Sequence, residues 1–360
     1  MRAGIASPTS TLPCGAWTVV PSANTGISSS LAGVAAVSAN DVWSVGSYKG
    51  SSSSSGQTLI EHWDGTSWSI VTSPSPSTYS NLKAIAAVSA NDIWAVGSSS
   101  SETLTEHWDG SSWSVIPSPN VSSSLNYLAS VAVVASNDVW AVGESDLTDG
   151  DAQTLTEHWD GTSWSIIPSP NVATFVNAFI GVAAIATNDV WAVGTSEDSG
   201  SQPLIEHWDG NSWSVIPSPV PSIDGILYGV SAVSANNIWA VGHFISFSVE
   251  ATLIEHWDGT SWSIVPSPNP RSSDYLTGVT ASPAGAVWTA GHDINLKQNA
   301  FQTLIEHWIG TKWQASASPN VGTQNNALYA IAQVPGTKQL WTAGLYDSGH
   351  VHQTLIEFRC

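Results

Sequence analysis

Tryptophan recurs in this chain at a period that few folds tolerate. Trp43, Trp94, Trp140, Trp191, Trp239, Trp288 and Trp341 each sit in a stretch such as VAAVSANDVWSVG, which ends at Gly46. Their spacings are 51, 46, 51, 48, 49 and 53 residues. Downstream of each lies a second recurring stretch, LIEHWDGTSW at Leu59–Trp68, repeated with small changes to Trp113, Trp164, Trp213, Trp262 and Trp313. A period near fifty marks a repeat architecture. Each unit holds four strand-like runs and no helical periodicity. Val34–Val37, Val42–Val45, Thr58–Trp63 and Trp68–Val71 are short and β-rich, and turn residues separate them. Asp64-Gly65 reads as a tight hairpin between the third and fourth runs. Four short antiparallel strands per unit make one propeller blade.

The ends of the chain fix the count. Residues 15–21, GAWTVVP, are a fourth strand without a blade, and Leu355–Phe358 is a third strand without a partner. Together they complete a seventh blade. The chain is therefore expected to be all-β, a seven-bladed β-propeller closed by its N-terminal strand pairing with the C-terminal blade. Residues 14–360 form one domain, preceded by a disordered tail over 1–13. In the repeat register Cys360 takes the place of Asp64 and Cys14 that of Gly65, so the only two cysteines flank the cut. A Cys14–Cys360 disulfide is expected to stand in for the missing turn, with two free thiols as the alternative.

Composition bounds the partners. The net charge is −20 with only 8 Lys+Arg, and the loops are filled with Ser, Thr, Asn and Gly. Nucleic acid and anionic membrane surfaces are poor partners for such a surface. No run of about twenty apolar residues marks a membrane span. The paired cysteines suit an oxidising setting, secreted or at the cell surface. Met1–Pro13 is too polar and short for a signal peptide, so removal of a signal is expected.

The DVWAVG and EHWDGTSW motifs resemble bacterial extracellular propellers of the kelch-like and galactose-oxidase-central-domain-like group, over residues 14–360. The resemblance implies the propeller and leaves function open, because such rings serve as lectins, scaffolds, lyases and hydrolases. Kelch units carry a double glycine where this chain has a single one, such as Gly97, and no catalytic residue of the group maps onto it.

Symmetry sorts the candidate residues. His62, His107, His158, His207, His256 and His307 occupy one slot in six blades, so they spread around the ring and are expected to bond within their own blades, to Asp41-type residues. Glu61, Glu106, Glu157, Glu206, Glu255, Glu306 and Glu357 are expected to satisfy backbone or His donors. All 20 tryptophans fall into three slots and read as blade packing.

Residues that break the repeat carry the functional argument. The short turns lie on one face. The long variable connections lie on the other, where a site on a rigid scaffold is expected. His243, His292, His350 and His352, with Asp293 nearby, cluster on that face in three successive blades and are candidate ligands of a zinc-like metal, or acid–base groups. Scattered surface histidines are the plainer reading. Asp146, Asp149 and Asp151 are candidate calcium ligands in an acidic loop. Lys83, Tyr127, Tyr228, Tyr275 and Tyr329, with His243 and His292, are candidate binding residues. Aromatic residues near the start of the first strand, Tyr79, Phe175 and Phe179 among them, either rim the channel or plug the core. One slot varies as Ala32, Lys83, Ala129, Ile180, Tyr228, Thr277 and Tyr329, beside a slot that stays small. A binding propeller for an extracellular ligand such as a carbohydrate follows. A lyase or hydrolase using His243, His292, His350 and Tyr329 competes with it, as does a self-assembling structural ring.

Overall fold

The computed structural model describes residues 12, 14–50, 56–121, 123–146, 151–219, 224–246, 249–271, 273–295, 298–349 and 351–360. Among them are 28 strands and no helix. The strands group four to a blade. Blade 1 comprises Ser28–Ser38, Asp41–Lys49, Gly56–Trp63 and Trp68–Ile70. Blades 2 to 6 span 80–115, 126–166, 176–215, 224–264 and 274–316 in the same order. Blade 7 takes three strands from 326–359, and its outer strand is Thr18–Val19, paired with Phe358 and Glu357. The first and last blades touch: Trp63 and Trp68 pack on Trp341 at 5.1 and 5.4 Å.

The inner strands run longer than the apolar core of each repeat. Ser28–Ser38 extends Val34–Val37 at its N-terminal end through polar residues that apolar patterning does not count. Every inner strand also carries a β-bulge. In blade 1 it falls between Leu31 and Gly33, leaving Ala32 out of the ladder. Equivalent shifts leave out Lys83, Ala129, Ile180, Tyr228, Thr277 and Tyr329. The small slot beside the bulge permits close approach at the axis. A Cβ added to Gly33 would lie 3.1 Å from the Ala84 Cα of the next blade.

The turn between the third and fourth strands differs from the expected hairpin. Trp63 pairs with Trp68 across four residues, not two. Asp64 Oδ1 accepts from the Thr66 amide at 2.8 Å, the Thr66 hydroxyl at 2.6 Å and the Ser67 amide at 2.9 Å. Gly65 adopts φ +92°, which L residues rarely reach. The same carboxylate-closed turn recurs at Asp109, Asp160, Asp209 and Asp258. Cys14 and Cys360 are disulfide-bonded, with Cα atoms 4.9 Å apart, and Gly15 N donates to Cys360 O at 3.2 Å. Of the expected tail, Leu12 packs on the core beside blades 1 and 7, and residues 1–11 and 13 lie outside the described residues.

Blades adhere through aromatic clusters. Trp43 of blade 1 meets Trp108 and Trp113 of blade 2 at 5.0 and 5.7 Å. The motif repeats around the ring, each blade's second-strand tryptophan meeting two from the next. At the sixth interface Trp17 fills the outer-strand slot, and Arg359 replaces the third-strand tryptophan, its guanidinium 4.8 Å from the Trp288 ring centroid. A cation over an indole face conserves both contact and attraction there.

The six repeat histidines do not converge. His62, His107, His158 and His207 bond Asp41, Asp92, Asp138 and Asp189 of their own blades at 2.8–2.9 Å, and His256 bonds Asn237 at 2.9 Å. The Asp41 carboxylate also accepts the Trp43 indole N–H at 2.7 Å. His307 has Ala286 in that slot and stacks on Trp288 instead.

Of the seven glutamates, Glu61 meets a backbone donor as expected and most of the others do not. All are fully buried. Glu61 accepts from Ala23 N at 3.3 Å, and Glu255 from the Ser218 hydroxyl at 2.8 Å. Glu106, Glu206, Glu306 and Glu357 find no hydrogen-bond partner among the described residues. Four of the repeat histidines direct Nε2 to the Asp41-type carboxylates instead. Burial raises the pKa of Glu61, Glu106, Glu157, Glu206 and Glu306 to about 8, and that of Glu357 well above the ordinary value.

Candidate functional site

The seven residues left out of the inner-strand ladders point to the axis. They line a cavity of about 590 Å³ at the long-loop mouth of the channel. Ser30, Ser47, Lys49, Asn81, Tyr127 and His352 complete its polar wall. The channel continues below as a narrower space lined by all seven inner strands. A bulge re-aims a side chain without disturbing the strands beyond it. Here the same local device, repeated seven times, gathers a variable slot of the repeat into one place.

Of the candidate binding residues, Lys83, Tyr127, Tyr228 and Tyr329 line this cavity directly. Tyr275, His243 and His292 stand behind it. Tyr275 pairs with His292 across the blade 6 strands, and His243 lies on the second strand of blade 5. The rings form a continuous arc. Tyr228 stacks on His243 at 5.6 Å and 9°, His243 meets Tyr275 at 4.7 Å, and Tyr275 stacks on His292 at 5.1 Å and 20°. His292 then meets Tyr329 edge-on at 6.4 Å. The off-pattern aromatics of blades 5 to 7 therefore do come together, as a wall of stacked rings.

That wall sets the state of its histidines. Burial holds His243 below its ordinary pKa and pulls His292 down to about 4, so both are neutral imidazoles at pH 7. The tyrosines move the other way. Burial raises Tyr228 to about 12, and burial plus the Glu144 carboxylate raises Tyr127. Tyr127 bonds Glu144, and Tyr275 bonds Glu250. Glu144 is itself raised to about 7, chiefly by burial.

The candidate metal ligands are not assembled as a cluster among the described residues. Among the described residues no three His, Cys, Asp or Glu side chains lie together as ligands. His352 bonds Asp347 through Nδ1 at 2.6 Å. Asp293 pairs with Arg271 Nε at 2.5 Å, while the adjacent His292 belongs to the ring stack. Successive strand residues point to opposite faces, so His292 and Asp293 do not share a ligand. His350 lies outside the described residues, as does Asp149 of the acidic loop, whose flanking Asp146 and Asp151 are described.

The other aromatics divide as sequence left open. Phe179 is fully buried core, whereas Tyr79 and Phe175 are exposed. Lys49 was not singled out by sequence reasoning. It sits at the end of a strand, beside a serine run that reads as featureless loop. Its one signal was rarity, since the chain has only 8 Lys+Arg.

No protein-family model matches the chain. No curated protein sequence matches it either. Solved structures do. "YCF48 bound to D1 peptide" superposes with a TM-score of 0.60 at 14% identity, covering 97% of this chain and 98% of that one. "YCF48 from Cyanidioschyzon merolae" gives 0.59 at 13%, covering 96% and 99%. "Structure of U3-55K" gives 0.61 at 9%, covering 96% and 98%. At such identities the likeness is one of fold, a β-propeller of the same extent.

Proposed function

We propose that this propeller is a binding module that holds an extracellular ligand, a saccharide, in the long-loop mouth of its channel. One observation carries the reading: a slot that varies among near-identical blades, Ala32, Lys83, Ala129, Ile180, Tyr228, Thr277 and Tyr329, is the slot that lines the cavity. Packing needs the repeats alike, so departures gathered at one point are what a ligand would select. Tyrosine faces with hydroxyl and amide groups between them suit a sugar ring, which offers both C–H faces and hydroxyls. The disulfide suits an extracytoplasmic setting, in keeping with the resemblance to kelch-like extracellular propellers. Among the described residues no helix is long and apolar enough to cross a membrane.

A peptide ligand is the second reading, favoured by the solved propeller named for its D1 peptide. The lyase or hydrolase reading is less well supported. A proton-transfer imidazole is oriented by a partner on its second nitrogen, and Nδ1 of both His243 and His292 meets none among the described residues.

Glycan-array screening of the native protein, followed by calorimetry on Tyr228→Ala and Tyr329→Ala, tests the proposal. Each variant is expected to weaken a true ligand about 10-fold or more. Ile309→Ser, exposed in a short turn on the opposite face, is expected to leave affinity unchanged. Binding that survives both tyrosine variants would place the ligand elsewhere.

A further inference from the structure

We infer that the cavity is a receptor for an anionic sugar, a saccharide bearing a carboxylate or sulfate group, with Lys83 and Lys49 receiving the charge. The inference rests on the binding reading above and names the chemical class of its ligand. It starts from a charge inversion. The chain carries 28 Asp+Glu against 8 Lys+Arg. The residues lining the cavity nevertheless include Lys49, Lys83 and His352, and no Asp or Glu. A strongly acidic molecule has gathered two of its few ammonium groups at a mouth of its central channel.

Neither lysine is neutralised from within. No ion pair to Lys49 or Lys83 is present among the described residues, whereas Arg271 pairs with Asp293 and Arg359 lies over Trp288. Lys83 is exposed by surface area yet surrounded by protein, because its free surface is the channel lumen. Burial pulls its pKa below 10.5 with no facing carboxylate to hold it up. The carboxylates behind the wall are engaged by neighbours: Glu144 with Tyr127, Glu250 with Tyr275, and Asp347 with His352 and with Asn325 at 2.8 Å. An unpaired ammonium in a partly desolvated cavity is costly, and an incoming anion offsets that cost.

The remaining wall argues for a sugar as the carrier of the anion. Tyr228 and Tyr329 bring aromatic rings to the lining of the lumen. Ser30, Ser47 and Asn81 add hydroxyl and amide groups to the same lining. A bare inorganic anion would use none of these groups.

The test is calorimetric titration of the full chain with three probes of matched length: a neutral oligogalactoside, an oligogalacturonide and a sulfated oligogalactoside. The native protein is expected to bind at least one anionic probe about 10-fold or more tighter than the neutral one. Lys83→Met, which keeps the apolar stem, is expected to weaken that probe about 10–100-fold, the worth of a charge-assisted bond, while changing the neutral probe less than about 3-fold. Lys49→Met is expected to act in the same direction, and Lys312→Met, in a turn on the opposite face, to do nothing. Preference between the carboxylate and sulfate probes identifies which group the site receives. Equal binding of neutral and anionic probes would overturn the inference and leave the saccharide reading standing. So would an equal loss of both probes in Lys83→Met. Failure of every saccharide to bind would overturn both, and binding of a basic peptide instead would do the same.

Discussion

At the scale of single residues, the buried glutamates set the pH response of the molecule. Each has a folded pKa raised above its unfolded value near 4.5, to about 8 in five of the seven. The folded state then holds more protons than the unfolded chain between those limits. Stability from this source is complete below about pH 4.5 and is lost as pH rises through about 8. The melting temperature is therefore expected to fall from pH 5 to pH 8.5, the reverse of the usual carboxylate behaviour, by scanning calorimetry across that range. Glu206→Gln keeps the shape and removes the charge. It is expected to stabilise by less than about 1 kcal/mol at pH 5 and by up to about 4 kcal/mol at pH 8, and a variant equally destabilised at both pH values would show that the group is ionised and paired. Arg359 makes the opposite case of a charge put to structural use. Arg359→Ala is expected to cost about 1 kcal/mol in denaturant unfolding, and Arg359→Trp to restore the loss by completing the repeat.

At the scale of strands and turns, the legible and the illegible separate cleanly. The four-strand blade was readable because every slot occurs several times, so chance substitutions average out and the tryptophan, glutamate and Asp-Gly positions stand clear. The aromatic arc was half readable. Tyr228, Tyr275, His243 and His292 announce themselves by breaking the pattern, but their stacking depends on cross-strand registers that no local signal encodes. The bulge was not readable at all. A Leu-x-small triplet looks like any strand, and only the ladder shows the middle residue thrown out toward the axis. Lys49 was missed for a related reason, since what matters is the space it faces and not its neighbours in sequence. The turn after the third strand permits a direct check. Gly65 holds φ +92°, and a Cβ there would meet the Asn40 side chain at 2.7 Å. Gly65→Ala is expected to destabilise by about 1–2 kcal/mol, whereas the same change at Gly310, with open space around it, is expected to show only the backbone part of that cost.

At the scale of the whole molecule, stability is shared among near-equivalent blade interfaces, and the covalent closure guards the one where the chain is interrupted. Thr18–Val19 adds only two residues of ladder to the last blade. Without the Cys14–Cys360 bond that strand is free to peel away. In the chain-entropy model a loop of this length contributes about 5 kcal/mol as an upper figure. Reduction is expected to lower the melting temperature and to expose the 14–20 segment to protease before any other, and cleavage beginning in blades 2 to 5 would contradict this. The disulfide and its Gly15 contact occupy the place that an Asp-Gly turn fills in the other blades. The interruption is thus a matter of wiring and not of shape. A circular permutant that joins residue 360 to residue 14 by a short peptide, and opens between Asp160 and Gly161 instead, is expected to fold to the same ring. For this molecule the order in which the blades are written is nearly a free choice, and only the circle they make is specified.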